Sequence, residues 1–304
     1  MSGGELDAVT GAFGFTGRYI ARRLVKAGRT VLTLTGRRRP DPFGGRIQVA
    51  PLRFETAHLT DALRGVSVMY NTYWVRFPYK GVTFESAVRN LSVLLEACRR
   101  AGVRRIVHIS ITNASEDSPF AYFRGKAEVE RMIASSTLSY AILRPAIIFG
   151  PEDILINNLA WFLRRFPLFV VPGDGRYPVQ PVFVEDLADL AVRAGQAREN
   201  VVADAVGPET FAFEDLVRLI ADGIGRPARL LHAPPSAAWG IIKLLGALVG
   251  DVVLTREEIR ALMAGLLRSC GAPTARTRLS EWVVRQAPEL GRQYASELAR
   301  HYRR

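Results

Sequence analysis

The chain has 304 residues, 48% hydrophobic and 23% charged, which allows two domains or one large α/β domain with an added lobe. With 26 Gly, 17 Pro and only two cysteines it is neither disordered, collagen-like nor disulfide-built, and Cys98 and Cys270 form no ligand or redox pair by spacing. The formal net charge of +12 rests on 41 basic residues, 37 of them arginine, dispersed without a basic tail, an RNP-like string or a zinc-knuckle spacing, so nucleic acid is not an expected partner.

The start, MSGGELDAVTGAFG, lacks a basic region followed by an apolar run, so a secretory leader is not expected. With two cysteines that need no partner, the expected location is cytoplasmic. In chain order, candidate strands are Leu6 to Thr10, Thr30 to Thr35, Ile47 to Ala50, Val66 to Thr72, Arg105 to Ile111 and Ser139 to Leu143. Helix-period segments fall between them, at Gly14 to Lys26, His58 to Arg64, Phe84 to Ala101 and Phe120 to Ser135. The alternation predicts an α/β protein with a Rossmann-type, doubly wound parallel sheet that binds ligand across the carboxyl ends of its strands.

After Gly150 the texture changes to Pro-Gly-aromatic segments, so residues 1–150 are expected to form the dinucleotide-binding domain. The piece 182–206 reads as strand, helix and strand returning to it, leaving 151–181 and 207–304 as a smaller, mostly helical substrate region. Helices are expected at Phe213 to Ile224, Ala237 to Val249, Arg256 to Leu267 and near Leu290 to His301. The most apolar stretch, Ala237 to Leu254, is interrupted by Lys243 and ends around Asp251, so it reads as a buried or interface helix rather than a span of ~20 apolar residues. Membrane association is not the expected state, while homo-oligomerisation is possible.

The strongest local signal is VTGAFGFTGRYIARRL, where Gly11, Gly14 and Gly17 stand between a strand and a helix, with Phe13, Phe15 and Thr16 in the loop between them. The glycines suit a tight turn, close approach of backbone to a pyrophosphate, and packing of helix on strand. At the end of the second strand an NAD site expects an acid on the ribose 2′-hydroxyl; the sequence there is Thr35-Gly36-Arg37-Arg38-Arg39. A guanidinium can bind a 2′-phosphate through two parallel hydrogen bonds, so the expected cofactor is NADP(H), with Arg37 the first choice of contact and Arg38 the second.

Tyr122 and Lys126 stand at i and i+4 on a predicted helix, hence on one face. An ammonium beside a phenol favours phenolate, which suits proton exchange with a carbonyl or hydroxyl. A third polar group is expected on the preceding strand, where Ser110 and Thr112 share a face and Thr112 lies nearer the carboxyl end. His108 reads as a packed core histidine, and His58, His232 and His301 are scattered, so no metal is expected.

The order GAFGFTG, VRRIVHISIT, YFRGKAE, LRPAIIFGPED and PVFVEDLADLA resembles the short-chain dehydrogenase/reductase superfamily over about residues 6–206. It is most similar to the extended and atypical branches, which include nucleotide-sugar epimerases, NmrA-like proteins and the nucleotide-binding accessory subunit of respiratory complex I. The resemblance implies that Tyr122 is the proton donor or acceptor, that Lys126 binds the nicotinamide ribose, and that Thr112 or Ser110 takes the Ser/Thr position. It further implies that Pro145, Ala146, Ile147 and Ile148 pass beside the carboxamide and that Arg53 and Phe54 lie near the adenine. Extended members usually carry an acid after the third strand and small residues after the fourth; Arg53-Phe54 and Asn71-Thr72-Tyr73-Trp74 stand there instead, with Asn71 and Thr72 counted among the cofactor contacts. The implied activity is NADP(H)-dependent oxidoreduction, epimerisation or dehydration of a small carbonyl, alcohol or sugar-like molecule. The alternative is a non-catalytic NADP(H)-binding sensor, assembly factor or accessory subunit.

Overall fold

The computed structural model describes residues 5–37 and 39–302. In chain order the elements are β1 (Leu6–Thr10), α1 (Phe15–Lys26), β2 (Thr30–Thr35), β3 (Gln48–Pro51), α2 (Thr56–Ala62), β4 (Val66–Asn71), α3 (Phe84–Ala101), β5 (Arg105–Ile109), α4 (Ala121–Ala134) and β6 (Ser139–Pro145). There follow β7 (Ile147–Phe149), α5 (Leu155–Arg165), β8 (Leu168–Pro172), β9 (Pro178–Val179), β10 (Pro181–Phe183), α6 (Val184–Gln196) and β11 (Val201–Ala205). The remainder comprises β12 (Phe211–Ala212), α7 (Phe213–Gly223), β13 (Arg229–Ala233), α8 (Pro235–Val249), α9 (Arg256–Met263), α10 (Leu279–Gln286) and α11 (Glu297–His301).

Two compact units result: one runs to Arg144 and takes back Val184–Asp204, and the other holds Pro145–Phe183 and the chain from Ala205. In the first, a seven-stranded sheet has the order β11-β6-β5-β4-β1-β2-β3. The pairs β1–β2, β1–β4, β2–β3, β4–β5 and β5–β6 are parallel. The order reverses around β1, which makes its carboxyl end the switch point where such sheets bind ligands. The central strands are buried on both faces, as in β5, where even Arg105 is covered. That arginine is tolerated because its guanidinium donates to Ala194 O at 2.7 Å, Glu199 O at 2.8 Å and the Ser139 hydroxyl. Helix α3 begins with a reciprocal cap between Thr83 and Ser86 and buries Leu91, Leu94 and Leu95 against the sheet core.

The second unit packs α5, α7 and α10 around Phe149, Ile156, Leu216, Ile220 and Trp282. Its strands form three two-stranded pairs, β10–β7, β12–β9 and β13–β8. The helix expected from Leu290 to His301 is only α11. Gly291 breaks it with φ +73, and a Cβ there would sit 2.5 Å from Ala160 C, so the chain turns where α5 passes. Helix α11 starts where Ser296 accepts from Ala299 N. The segment Leu279–Gln286, in the region expected to be mostly helical but without a helix named there, is also helical.

Candidate functional site

The glycine turn is built from three different constraints. Gly11 follows β1 with φ +68, a left-handed conformation that favours glycine. Its N–H donates to Leu34 O at 2.8 Å, and Gly14 N donates back to Gly11 O at 2.7 Å. Gly17 allows contact rather than curvature: a Cβ on it would lie 2.4 Å from Gly11 O, so α1 packs directly on the turn. Gly14 is the N-cap of α1, extended and without a side-chain cap, and the first turn carries no acid. A helix start of this kind presents backbone N–H groups and the positive end of the helix dipole to an anion, which fits a dinucleotide pyrophosphate. Phe13 is buried and packs on Phe43, Phe15 meets the Tyr19 ring edge-on, and Thr16 is half-buried.

Arginines surround this turn. Arg37 sits in a turn closed by Thr35, whose hydroxyl donates to Arg37 O at 3.1 Å. Arg38 lies outside the described residues. Arg39 and Arg18, neither singled out from the sequence, both donate to the Phe13 carbonyl at 3.4 Å. The Arg39 guanidinium also lies 3.7 Å from where a Gly14 Cβ would stand. Arg53 is exposed, and Phe54 packs on Tyr73 with ring centroids 4.7 Å apart.

Beneath the turn, Asn71 and Thr72 are engaged with β1 and β5. The Thr10 hydroxyl donates to Asn71 Oδ1 at 3.1 Å and accepts from Thr72 N at 2.7 Å, while Thr72 Oγ1 donates to Thr10 O at 2.6 Å. Asn71 Nδ2 donates to His108 Nδ1 at 2.8 Å. His108 is fully buried, and burial with the nearby Lys126 charge holds its pKa well below the usual range, so the ring is neutral. The network ties the carboxyl ends of β1, β4 and β5 together.

Tyr122 and Lys126 meet at Trp74. The indole lies edge-on to Tyr122 with centroids 6.0 Å apart and stacks on Phe84 at 6.3 Å. Lys126 Nζ lies 4.6 Å over the same indole and donates to Ile109 O at 2.8 Å. Gly125 makes the fit possible, since a Cβ there would already be 3.2 Å from the indole ring. Lys126 is buried, and desolvation pulls its pKa down to about 7. The position after β4 was legible as unusually bulky, but that Trp74 covers the lysine was not.

Strand β5 ends at Ile109, two residues earlier than expected, so strand alternation does not govern Ser110 and Thr112. Both are buried. The Ser110 hydroxyl donates to Glu130, which also holds Arg144 through Nε at 3.0 Å to both carboxylate oxygens. Ser110 is thus built into an ion-pair network, whereas Thr112 follows the strand end and precedes Asn113, which has φ +56. Glu130 escaped the sequence reading although it stands four residues beyond Lys126 on the same helix face. Pro145 ends β6, and Ala146, Ile147 and Ile148 belong to the second unit, where Ile147 is buried beside Phe149 and Ile148 is half-buried.

Comparison with known proteins agrees with this architecture. The chain is 27% identical over 245 residues to an Arabidopsis thaliana protein named mitochondrial NADH dehydrogenase [ubiquinone] 1 alpha subcomplex subunit 9, covering 76% of this chain and 61% of that one. It is 26% identical over 275 residues to the mitochondrial 40 kDa subunit of Neurospora crassa NADH-ubiquinone oxidoreductase, covering 84% and 70%. The chain therefore spans less than two thirds of the Arabidopsis relative. Among solved structures, the NADPH-dependent quinone oxidoreductase of Escherichia coli, complexed with NADPH, shares the fold with a TM-score of 0.74 at 20% identity, over 92% of this chain and 99% of that one. The expected cytoplasmic location is corrected by the two subunits, both named as mitochondrial. Unpaired cysteines report a reducing environment, which is not unique to the cytoplasm. Residues 8–206, most of the chain and all but the edges of the β1 to β11 segment, match the NAD dependent epimerase/dehydratase family, and the chain belongs to that family.

Proposed function

We propose that this chain binds NADP(H) across the glycine turn and acts as an oxidoreductase on a small carbonyl or alcohol substrate. The observation that carries the reading is the convergence of Tyr122 and Lys126 on Trp74, next to the carboxyl end of β5. Gly11, Gly14 and the start of α1 would hold the pyrophosphate, and Arg37, Arg39 and Arg18 would turn to the 2′-phosphate when it binds. Bound there, the dinucleotide supplies the redox equivalents. Tyr122 exchanges the proton with the substrate oxygen, and Thr112 orients that oxygen. Lys126 stands beside the phenol, with burial holding its pKa down to about 7 and its Nζ donating to Ile109 O.

A second reading, tight cofactor binding without turnover as a subunit of a larger assembly, is supported by the Trp74 cover over Lys126 and by the relatives named as subunits of mitochondrial NADH dehydrogenase. One experiment separates them: NADPH binding followed by fluorescence, then a screen of quinones, aldehydes, ketones and nucleotide sugars with wild type and Tyr122→Phe. Turnover that falls ~10²-fold or more in Tyr122→Phe, with binding kept, supports the enzyme. Tight binding with no substrate turned over assigns the second reading, and no dinucleotide binding overturns both.

A further inference from the structure

Helix α8 is built inside out. Ala238, Ile242 and Gly246, at four-residue spacing, form its buried stripe. Its solvent side carries Ala237, Gly240, Ile241, Leu244, Ala247 and Leu248, with Ile241 38%, Leu244 63% and Leu248 72% exposed. A solvent-facing helix side is ordinarily polar. Here Lys243 and Ser236 are the polar exceptions. The apolar surface has a counterpart on the strand pair of the same unit, where Leu168 on β8 is 53% exposed and Leu231 on β13 is 49% exposed.

Along the sequence the charge of this segment has one sign, although Glu214 lies 3.3 Å from His232 on β13. From Gly223 to Gly250 the chain holds Arg226, Arg229 and Lys243, all exposed, and no aspartate or glutamate. Trp239 lies under the Lys243 ammonium at 5.2 Å, an aromatic-cationic pair suited to the depth of lipid headgroups. At ~1.5 Å per residue a helix of this length reaches only ~22 Å, short of the ~30 Å hydrocarbon core, and no helix among the described residues is long and apolar enough to cross a membrane.

We propose that α8 docks in the plane of an anionic lipid surface, with Ile241, Leu244 and Leu248 among the acyl chains and the three cations at the lipid phosphates. The charge selects this occupant. A second copy would bring Arg226, Arg229 and Lys243 of two chains together, and a specific protein partner normally finds a polar, hydrogen-bonding rim, which α8 does not offer. Aliphatic side chains framed by cations match lipid.

The test is sedimentation of the full chain with vesicles of phosphatidylglycerol and phosphatidylcholine, against vesicles of phosphatidylcholine alone. The expected partition is about tenfold greater onto the anionic vesicles, weakening as salt is raised. The double variant Leu244→Glu with Leu248→Glu should stay in the supernatant while keeping its circular dichroism and melting temperature, because both sites are exposed. Lys243→Ala should weaken anionic binding alone. The proposal is overturned if wild type binds neither vesicle, or if the double variant binds as well as wild type, which would reduce the effect to the net charge of +12. It is equally overturned if wild type ignores vesicles but dimerises in a way that the double variant abolishes, which would give the face to a second copy.

Discussion

The indole of Trp74 covers the ammonium of Lys126, with Nζ 4.6 Å from the ring centroid and its hydrogen bond directed to Ile109 O. An aromatic wall on one side and a backbone acceptor on the other leave a cation with little solvent, which is why its pKa falls to about 7. Between about pH 7 and the ordinary lysine value, the unfolded chain binds a proton that the folded chain has released. Stability contributed by this group therefore rises with pH through that window, by at most ~1.4 kcal/mol per pH unit. Urea unfolding at several pH values should show the rise in wild type and a flatter profile in Lys126→Met. Trp74→Ala, which admits water to the ammonium, should move the onset to higher pH. An unchanged profile in both variants refutes the assignment.

On the proposed reading, the arginines at the glycine turn select NADPH over NADH. Arg39→Ala should weaken NADPH by ~10-fold or more, the loss of one charge-assisted phosphate contact, while changing NADH by much less. Arg37→Ala tests the residue favoured by the sequence in the same titration. If NADH binds wild type as tightly as NADPH, or if neither variant discriminates between the two, the guanidinium cluster serves some other purpose.

The three glycines should respond differently because they carry different constraints. Gly17→Ala places its methyl 2.4 Å from Gly11 O, so it should lower the melting temperature outright. Gly14→Val meets Gly11 O at 3.1 Å, a tight contact that a small backbone shift can relieve, and its bulk projects where a pyrophosphate would approach. It should melt within a few degrees of wild type yet lose dinucleotide binding. Normal binding by a folded Gly14→Val protein would mean that the phosphate lies elsewhere.

Much of the first unit was legible because its strands and helices are patterned by burial. Leu6 to Thr10 and Thr30 to Thr35 occur as expected, and the glycine spacing fixes where α1 begins. Strand β5 ends at Ile109, and the Ser110 hydroxyl beyond it turns to Glu130, a contact to a distant helix that no local pattern reveals. The same limit hid Arg39 at the Phe13 carbonyl and Trp74 over Lys126, since both depend on loops whose paths are set by packing. Gly291 shows a different failure, for periodicity ran through it while its backbone, pressed against Ala160, could not remain helical.

The ion pair beside Ser110 gives the last expectation. Glu130 is buried and receives the Ser110 hydroxyl and the Arg144 guanidinium, while Arg144 is partly exposed. Removing the serine hydroxyl leaves the Glu130–Arg144 pair intact, so Ser110→Ala should cost only ~1 kcal/mol. Glu130→Ala strands Arg144 and should cost ~3 kcal/mol or more, discounted somewhat because the guanidinium keeps contact with water. Arg144→Ala leaves the carboxylate buried without its cation and should be the most destabilising of the three. Denaturant unfolding of the three variants measures the order. Should Ser110→Ala instead leave stability untouched and remove turnover of a substrate identified with wild type, the hydroxyl serves chemistry, and Thr112 yields its assigned role to it.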